Sequence, residues 1–351
     1  MERIPAGVLG ATGIVGQRLV RALASHPWFS LGAITASERK AGERYRDACT
    51  WKLPSPIPEP AASMTLRPTD ANSMSDVRIV FSALPSDAAQ AIEPQLATAG
   101  IVVSSNASAF RETPDIPLII PEVNADHLAL LEKQRQNRGW SGALVTNPNC
   151  TVSGVATVLK PLADAFGLRA VVSTSMQAIS GAGYPGVASL DIVDNLVPWI
   201  PTEEEKIEAE TRLLLGSIDR TGQSPGAFDI SAHANRVAVS DGHTVCLSIG
   251  LERPAQPPEV SRVLAAFRGA PDVCDLPSAP ARIVRVVEAP DRPQPRLDRD
   301  AEKGMAVTIG RIRPCKLLDI RLVLVVHNAA RGAAGGSILN GELLRRRGFV
   351  R

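Results

Sequence analysis

The chain has 351 residues, 44% of them hydrophobic and 21% charged. That is ample material for a core, more than one core usually takes, and it points to two domains while excluding overall disorder. Lys plus Arg is 38 against 36 Asp plus Glu, a net charge of +2, and aromatics are 4%, so neither nucleic acid nor a membrane is an expected partner.

Ile4 to Leu9 reads as a strand, followed by Gly10-Ala-Thr-Gly13-Ile-Val-Gly16 and a helix on which Val15, Leu19, Val20 and Leu23 recur. Glycines between a strand and a helix let backbone approach a pyrophosphate, and the helix start favours its charge. A tight turn without a ligand could carry the same glycines, but the strand-to-helix context favours a dinucleotide. A second strand, 31–35, leads into Ser37-Glu38-Arg39-Lys40. An NAD site expects an acidic residue about 20 positions past the glycines. Here a serine, an arginine and a lysine cluster where a 2′-phosphate would sit, which favours NADP. Glu38 could still bond a ribose hydroxyl, and Arg39 and Lys40 suit a solvated loop equally.

Strands at 77–83, 101–103 and 118–120, with a helix near 88–99, continue the alternation and predict an α/β Rossmann domain, a doubly wound parallel sheet. After Thr146-Asn147-Pro148-Asn149-Cys150 the pattern changes. Helices at 152–165 and 203–215 and strands at 170–175, 245–250, 283–288, 307–311 and 317–326 predict an α+β domain, one sheet face of which could pack on helices or on a partner. The Pro-rich stretches 53–60, 254–258 and 290–295 read as loops. Residues 332–336 read as a glycine turn before a last helix, 337–347, that returns to the first domain. The expected division is 1–149 with 331–351 against 150–330.

No apolar run reaches the roughly 18 residues of a membrane span, and the N-terminal segment has no signal-peptide pattern. The five cysteines form no CxxC pair, so no metal site or disulfide framework is expected and a reducing cytoplasm fits. Cys150 follows a turn and opens a predicted helix, whose dipole would favour a thiolate. A buried structural cysteine is the alternative. A thiolate nucleophile needs a proton-transfer partner, and His243, in the turn Asp241-Gly242-His243, is modestly preferred among five histidines.

Taken together the segments resemble the aspartate-semialdehyde dehydrogenase family, most closely its archaeal and fungal branch. The matching residues are Gly10–Gln17, Ala36–Arg39, Ser105-Asn106-Ala107, Asn147–Cys150, Gln177–Gly183, Glu203–Lys206, Arg236 with Val239 and Gly242-His243, Arg296–Asp300 and Gly332–Gly335. The resemblance implies that Cys150 is the nucleophile, His243 the acid/base and Gln177 the residue that places the substrate near the sulfur. It implies Arg236 for an α-carboxylate, Glu203 for an α-ammonium, and Lys206, Arg111 and Asn106 for phosphate. A solvated helix face is the other reading of 203–206. For NADP it implies Gly10, Thr12, Gly13, Ile14, Val15, Gly16, Ser37, Arg39, Lys40, Ser82, Ser180, Gly181, Asn328 and Gly332, with no metal. The implied reaction is the reductive dephosphorylation of aspartyl phosphate to aspartate semialdehyde with release of inorganic phosphate, in a homodimer or homotetramer. The resemblance makes the α+β domain the catalytic and dimerisation domain. The rivals are a malonyl-CoA-type acyl-CoA reductase, an N-acetylglutamyl-phosphate reductase, whose motif has Gly where Asn149 stands, and a non-catalytic NADP-binding paralogue.

Overall fold

The structure is a computed structural model that describes residues 2–219 and 222–351. Its first sheet is parallel and five-stranded, built from β1 (Ile4–Leu9), β2 (Phe29–Ile34), β3 (Ile79–Ser82), β4 (Val102–Ser105) and β5 (Ala143–Thr146), in the order β2-β1-β3-β4-β5. The order reverses between β1 and β3, and such a switch opens a crevice at the carboxyl ends of the strands. Helix Ile14–Ala24 buries Leu19, Val20 and Leu23 in the same core as Ile338, Leu339, Leu343 and Leu344 of the last helix, Gly335–Arg346. The C-terminal helix therefore covers the first sheet, and Ser337 Oγ lies 2.9 Å from Ser104 Oγ of β4.

The second sheet is mixed. After β6 (Leu168–Gln177) and a two-residue ribbon of β7 (Ser217–Ile218) and β8 (Gln223–Ser224), it takes β9 (Asp229–Arg236), β10 (His243–Leu251), β11 (Val284–Val287), β12 (Val307–Pro314) and β13 (Ile320–Val326). The order is β11-β12-β13-β10-β6-β9. Helix Cys150–Phe166 lays Val155, Val158, Leu159 and Leu162 on Val245, Leu247, Leu322 and Leu324. The two layers are those the sequence implies: a doubly wound parallel sheet and an α+β unit.

The expected strand at 118–120 does not form. Pro117 and Pro121 bracket it, Leu118 makes only an isolated bridge to Thr146, and the Asn124 side chain takes the Ile120 amide and the Leu118 carbonyl. Strand β4 pairs instead with β5. Pro257 and Pro258 open a helix, Pro257–Ala266, where a loop was expected, because proline is well tolerated in a helix's first turn. The expected glycine turn at 332–336 is a π-helical turn, Ala330–Ala334, continuous with the last helix.

Candidate active site

Cys150 is brought to the site by the turn that leaves β5. Asn149 caps the helix, its Oδ1 accepting from the amides of Thr151 (2.8 Å) and Val152 (3.3 Å), so Cys150 is the first helical residue. Its partners come from one edge of the second sheet. Gln177 of β6 is the register partner of Arg236 of β9, and Met176 is the partner of Thr244 in β10. Gln177, Arg236 and His243 thus end adjacent strands side by side. All three are buried, and His243 Nε2 lies 3.1 Å from Cys150 Sγ.

Ala178, just past β6, orients two of them with its own backbone. Its amide donates to His243 Nδ1 at 3.0 Å, and its carbonyl accepts from Arg236 Nη1 at 2.9 Å. A neutral imidazole that accepts at Nδ1 carries its proton on Nε2, the nitrogen facing the sulfur. Burial pushes His243 down to about 3, with Arg236 and His327 adding to the effect. Burial also pushes the Cys150 thiol up to about 12, Glu203 adding and Arg111, Arg236 and the Thr151 amide opposing. This corrects the expectation of a thiolate favoured by the helix start: here desolvation outweighs the helix terminus and the cations.

The acidic helix Glu203–Leu214 is not a solvated face. Glu203 is buried, and its Oε1 accepts from Gln177 Nε2 (2.8 Å), Asn149 Nδ2 (2.9 Å) and Thr151 Oγ1 (3.4 Å). Glu204 and Glu208 accept from the amides of Ala234 and Ala232, each at 2.9 Å, so they satisfy the outer rim of β9, an edge strand. Lys206 is half-buried on the same helix and Glu205 is exposed. Glu210, two turns beyond Glu203, is a site residue that sequence reasoning missed. Its Oε1 accepts from Arg111 Nη1 (2.9 Å) and its Oε2 from the Asn149 amide (2.6 Å). Arg111 Nη2 in turn donates to the Asn106 carbonyl at 2.8 Å. The Asn106 side chain donates to the Ser82 carbonyl (2.9 Å) and accepts from Asn147 Nδ2 (3.3 Å).

The glycine loop forms the other wall. Gly10 has φ +69, and a side chain on Gly16 would run into the Gly10 carbonyl; Gly13 is the helix N-cap. Gln17 staples the loop, donating to the carbonyls of Thr12 (3.0 Å) and Thr50 (3.1 Å) and accepting from the Lys52 amide (2.8 Å). Thr12, Gly13, Ile14, Val15, Gly16, Lys40, Lys52 and Tyr184 line a cleft of about 440 Å³. An adjoining cleft shares Ile14, Lys52 and Tyr184 and reaches Ser180 and His327. Ser37 and Arg39 are exposed on one short turn at the end of β2, where Lys40 Nζ donates to the Ala48 carbonyl at 2.8 Å. Ser82 is buried at the end of β3. Asn328 donates to Ser180 Oγ (2.9 Å) and accepts from the Gly242 amide (2.9 Å), tying both to the turn that precedes His243. Gly181 lies against Arg236 and His243, and Gly332 against Cys150. Uncovered helix-start amides, a close-approach glycine and flanking lysines suit the pyrophosphate of a dinucleotide.

Two family models match along the chain: "Semialdehyde dehydrogenase, NAD binding domain" over residues 5–131 and "Semialdehyde dehydrogenase, dimerisation domain" over residues 159–331. The chain is 48% identical over 342 residues to the aspartate-semialdehyde dehydrogenase of Archaeoglobus fulgidus, covering 97% of this chain and 98% of that one. The chain belongs to the aspartate-semialdehyde dehydrogenase family. The enzyme of that name from Saccharomyces cerevisiae is 42% identical, with 98% of each chain covered. A crystal structure of the Candida albicans aspartate-semialdehyde dehydrogenase with NADP superposes with a TM-score of 0.92 at 39% identity, covering 99% of this chain and 100% of that one. Membership of the aspartate-semialdehyde dehydrogenase family fits the cleft, since the two matched domains supply its two walls.

For a member of the aspartate-semialdehyde dehydrogenase family the packing of Gly332 on Cys150 has a direct consequence. A Cβ on Gly332 would fall 2.6 Å from Cys150 Cβ and 2.8 Å from its Cα. Gly332→Ala is therefore expected to push the helix start aside and lower kcat by about 10²-fold, the cost of misplacing a reacting atom by about 1 Å. Steady-state kinetics beside cofactor titration check this. Wild-type kcat in the variant would contradict the close approach.

Proposed function

We propose that the chain is an NADP-dependent aspartate-semialdehyde dehydrogenase that converts L-aspartyl 4-phosphate to L-aspartate 4-semialdehyde, with phosphorylating oxidation as the reverse. The 3.1 Å contact of Cys150 Sγ with His243 Nε2 at a helix start carries the reading. In the reductive direction the Cys150 sulfur, having lost its proton, attacks the acyl carbon. The bond to the phosphate oxygen breaks, phosphate leaves carrying the proton that the sulfur gave up, and a thioester remains on Cys150. Bound NADPH supplies the hydride. His243 Nε2–H then donates to the resulting alkoxide oxygen and takes that proton back as the C–S bond breaks and the aldehyde leaves, while the sulfur departs as a thiolate that takes up a proton from solvent. One nitrogen thus serves as acid and then as base. Gln177, held by Glu203, places the carbonyl.

Arg236 offers a planar fork to the α-carboxylate, and the buried Glu203 carboxylate suits the α-ammonium. Arg111, Asn106 and Lys206 form the phosphate side. An acyl-CoA reductase of the malonyl-CoA type would have no ammonium to meet Glu203, which is why aspartyl substrates are favoured. The test is phosphate-dependent NADP reduction with aspartate semialdehyde, run beside malonyl-CoA reduction. Activity with malonyl-CoA alone would overturn the assignment.

Ser37, Arg39 and Lys40 are assigned to the 2′-phosphate, and the glycine loop, Ser82, Ser180, Gly181, Asn328 and Gly332 to the rest of NADP. Losing a charged hydrogen bond costs roughly 1.5–3 kcal/mol, so Arg39→Ala is expected to raise the KM for NADP about tenfold or more and to leave NAD kinetics unchanged. A wild-type preference for NAD would move the ribose contact to Glu38. The domain division falls at 149/150, with 331–351 rejoining the first domain. A homodimer or homotetramer forms through the second domain, where Leu190 and Trp199 are 91% and 65% exposed. Among the described residues no helix is long and apolar enough to cross a membrane, and a cytoplasmic location fits the five free thiols.

A further inference from the structure

Glu203 and Glu210 are seven residues apart on one helix, and both reach Asn149. Glu203 Oε1 takes its side-chain Nδ2, and Glu210 Oε2 takes its backbone amide. Asn149 immediately precedes the nucleophile. The other Glu210 oxygen holds Arg111, whose second nitrogen holds the Asn106 carbonyl beyond β4. Glu210 is 1% exposed and Arg111 9%, so the two charges compensate each other where water cannot. The chain Asn149–Glu210–Arg111–Asn106 therefore couples the start of the nucleophile's helix to a loop of the parallel-sheet domain.

We propose that Glu210 is a positioning residue of the reaction: it fixes Cys150 and the Arg111 guanidinium as one unit, and so sets how far the substrate's phosphate lies from the attacking sulfur. The part concerning phosphate rests on the reading of Arg111 given above; the hold on Cys150 does not. Glu210 does this through two acceptor oxygens. A glutamine has the same shape but only one acceptor, so it cannot keep both contacts. In Glu210→Gln either the Asn149 amide or Arg111 is left facing an NH2 group.

The experiment compares wild type, Glu210→Gln and Arg111→Ala as full-length enzymes. It measures the KM for phosphate and for the semialdehyde, and the rate of Cys150 alkylation by iodoacetamide across pH. Both readouts concern folded molecules: partial unfolding lowers the amplitude of slow alkylation and the apparent kcat, but not the KM for phosphate. Glu210→Gln is expected to raise the KM for phosphate, or to slow or shift the pH profile of alkylation, by about tenfold or more, as loss of a charged hydrogen bond would. The KM for the semialdehyde stays within about twofold. Wild-type values of both readouts in Glu210→Gln overturn the proposal. If Arg111→Ala leaves the KM for phosphate unchanged, the reading of Arg111 fails. Glu210 is then judged on alkylation alone, where an altered profile upholds its hold on Cys150 and a wild-type profile overturns it.

Discussion

Cys150→Ala is expected to lower turnover by about 10⁴-fold or more while leaving the dissociation constant for NADP within about twofold of wild type. In the proposed reaction the sulfur forms the covalent bond that divides acyl transfer from hydride transfer, and an alanine methyl cannot form it. The cofactor cleft is walled instead by the glycine loop and by Lys52 and Tyr184, so removing one sulfur leaves it intact. Steady-state kinetics and fluorescence titration with NADPH separate the two effects. Residual activity above about 1% would remove Cys150 from the covalent role.

His243→Asn has the second largest expected effect, a fall in kcat of about 10²–10⁴-fold with both substrate KM values near wild type, because a proton-transfer group acts in the transition state. The pH dependence has a definite sign. His243 is held down to about 3, and His327 to about 4, chiefly by burial, against about 6.5 in the unfolded chain. A native value below the unfolded one gives stability that is present above about pH 6.5 and is lost as the pH falls through the native value. The thermal midpoint of wild type should therefore decline from pH 6.5 towards 3, and that of His243→Asn should decline less steeply. Between pH 7 and 8 the ring stays neutral. An inflexion in kcat near pH 6.5 that vanishes in His243→Asn would show that burial does not hold the ring neutral.

Much of this was legible in the sequence, and the failures have physical causes. Periodicity located β1, the glycine loop, the helix from Cys150 and β10 because each joins a strong apolar pattern to a turn. Strand β9, Asp-Ile-Ser-Ala-His-Ala-Asn-Arg, was missed because its alternation of Ile230, Ala232 and Ala234 with polar residues is carried mostly by alanines, which give a weak apolar signal and little β preference. Its outer amides are satisfied by Glu204 and Glu208, a long-range fact absent from local pattern. The run Glu203-Glu204-Glu205-Lys206 reads equally as a solvated face or as a site, and only the packing of Ile207 and Glu210 decides. Ala178 could not be found by residue type, since it acts through its backbone. The Cys150 environment was misjudged because the helix start is visible in sequence and burial is not.

The most direct test of the account is to mix the enzyme with aspartate semialdehyde and NADP in the absence of phosphate, quench in acid, and map the products by mass spectrometry while following NADPH. The account predicts a burst of NADPH equal to the concentration of active sites, an aspartyl thioester on the peptide carrying Cys150, and release of that adduct when phosphate is added. Steady phosphate-dependent turnover with no burst and no adduct on Cys150 would contradict it.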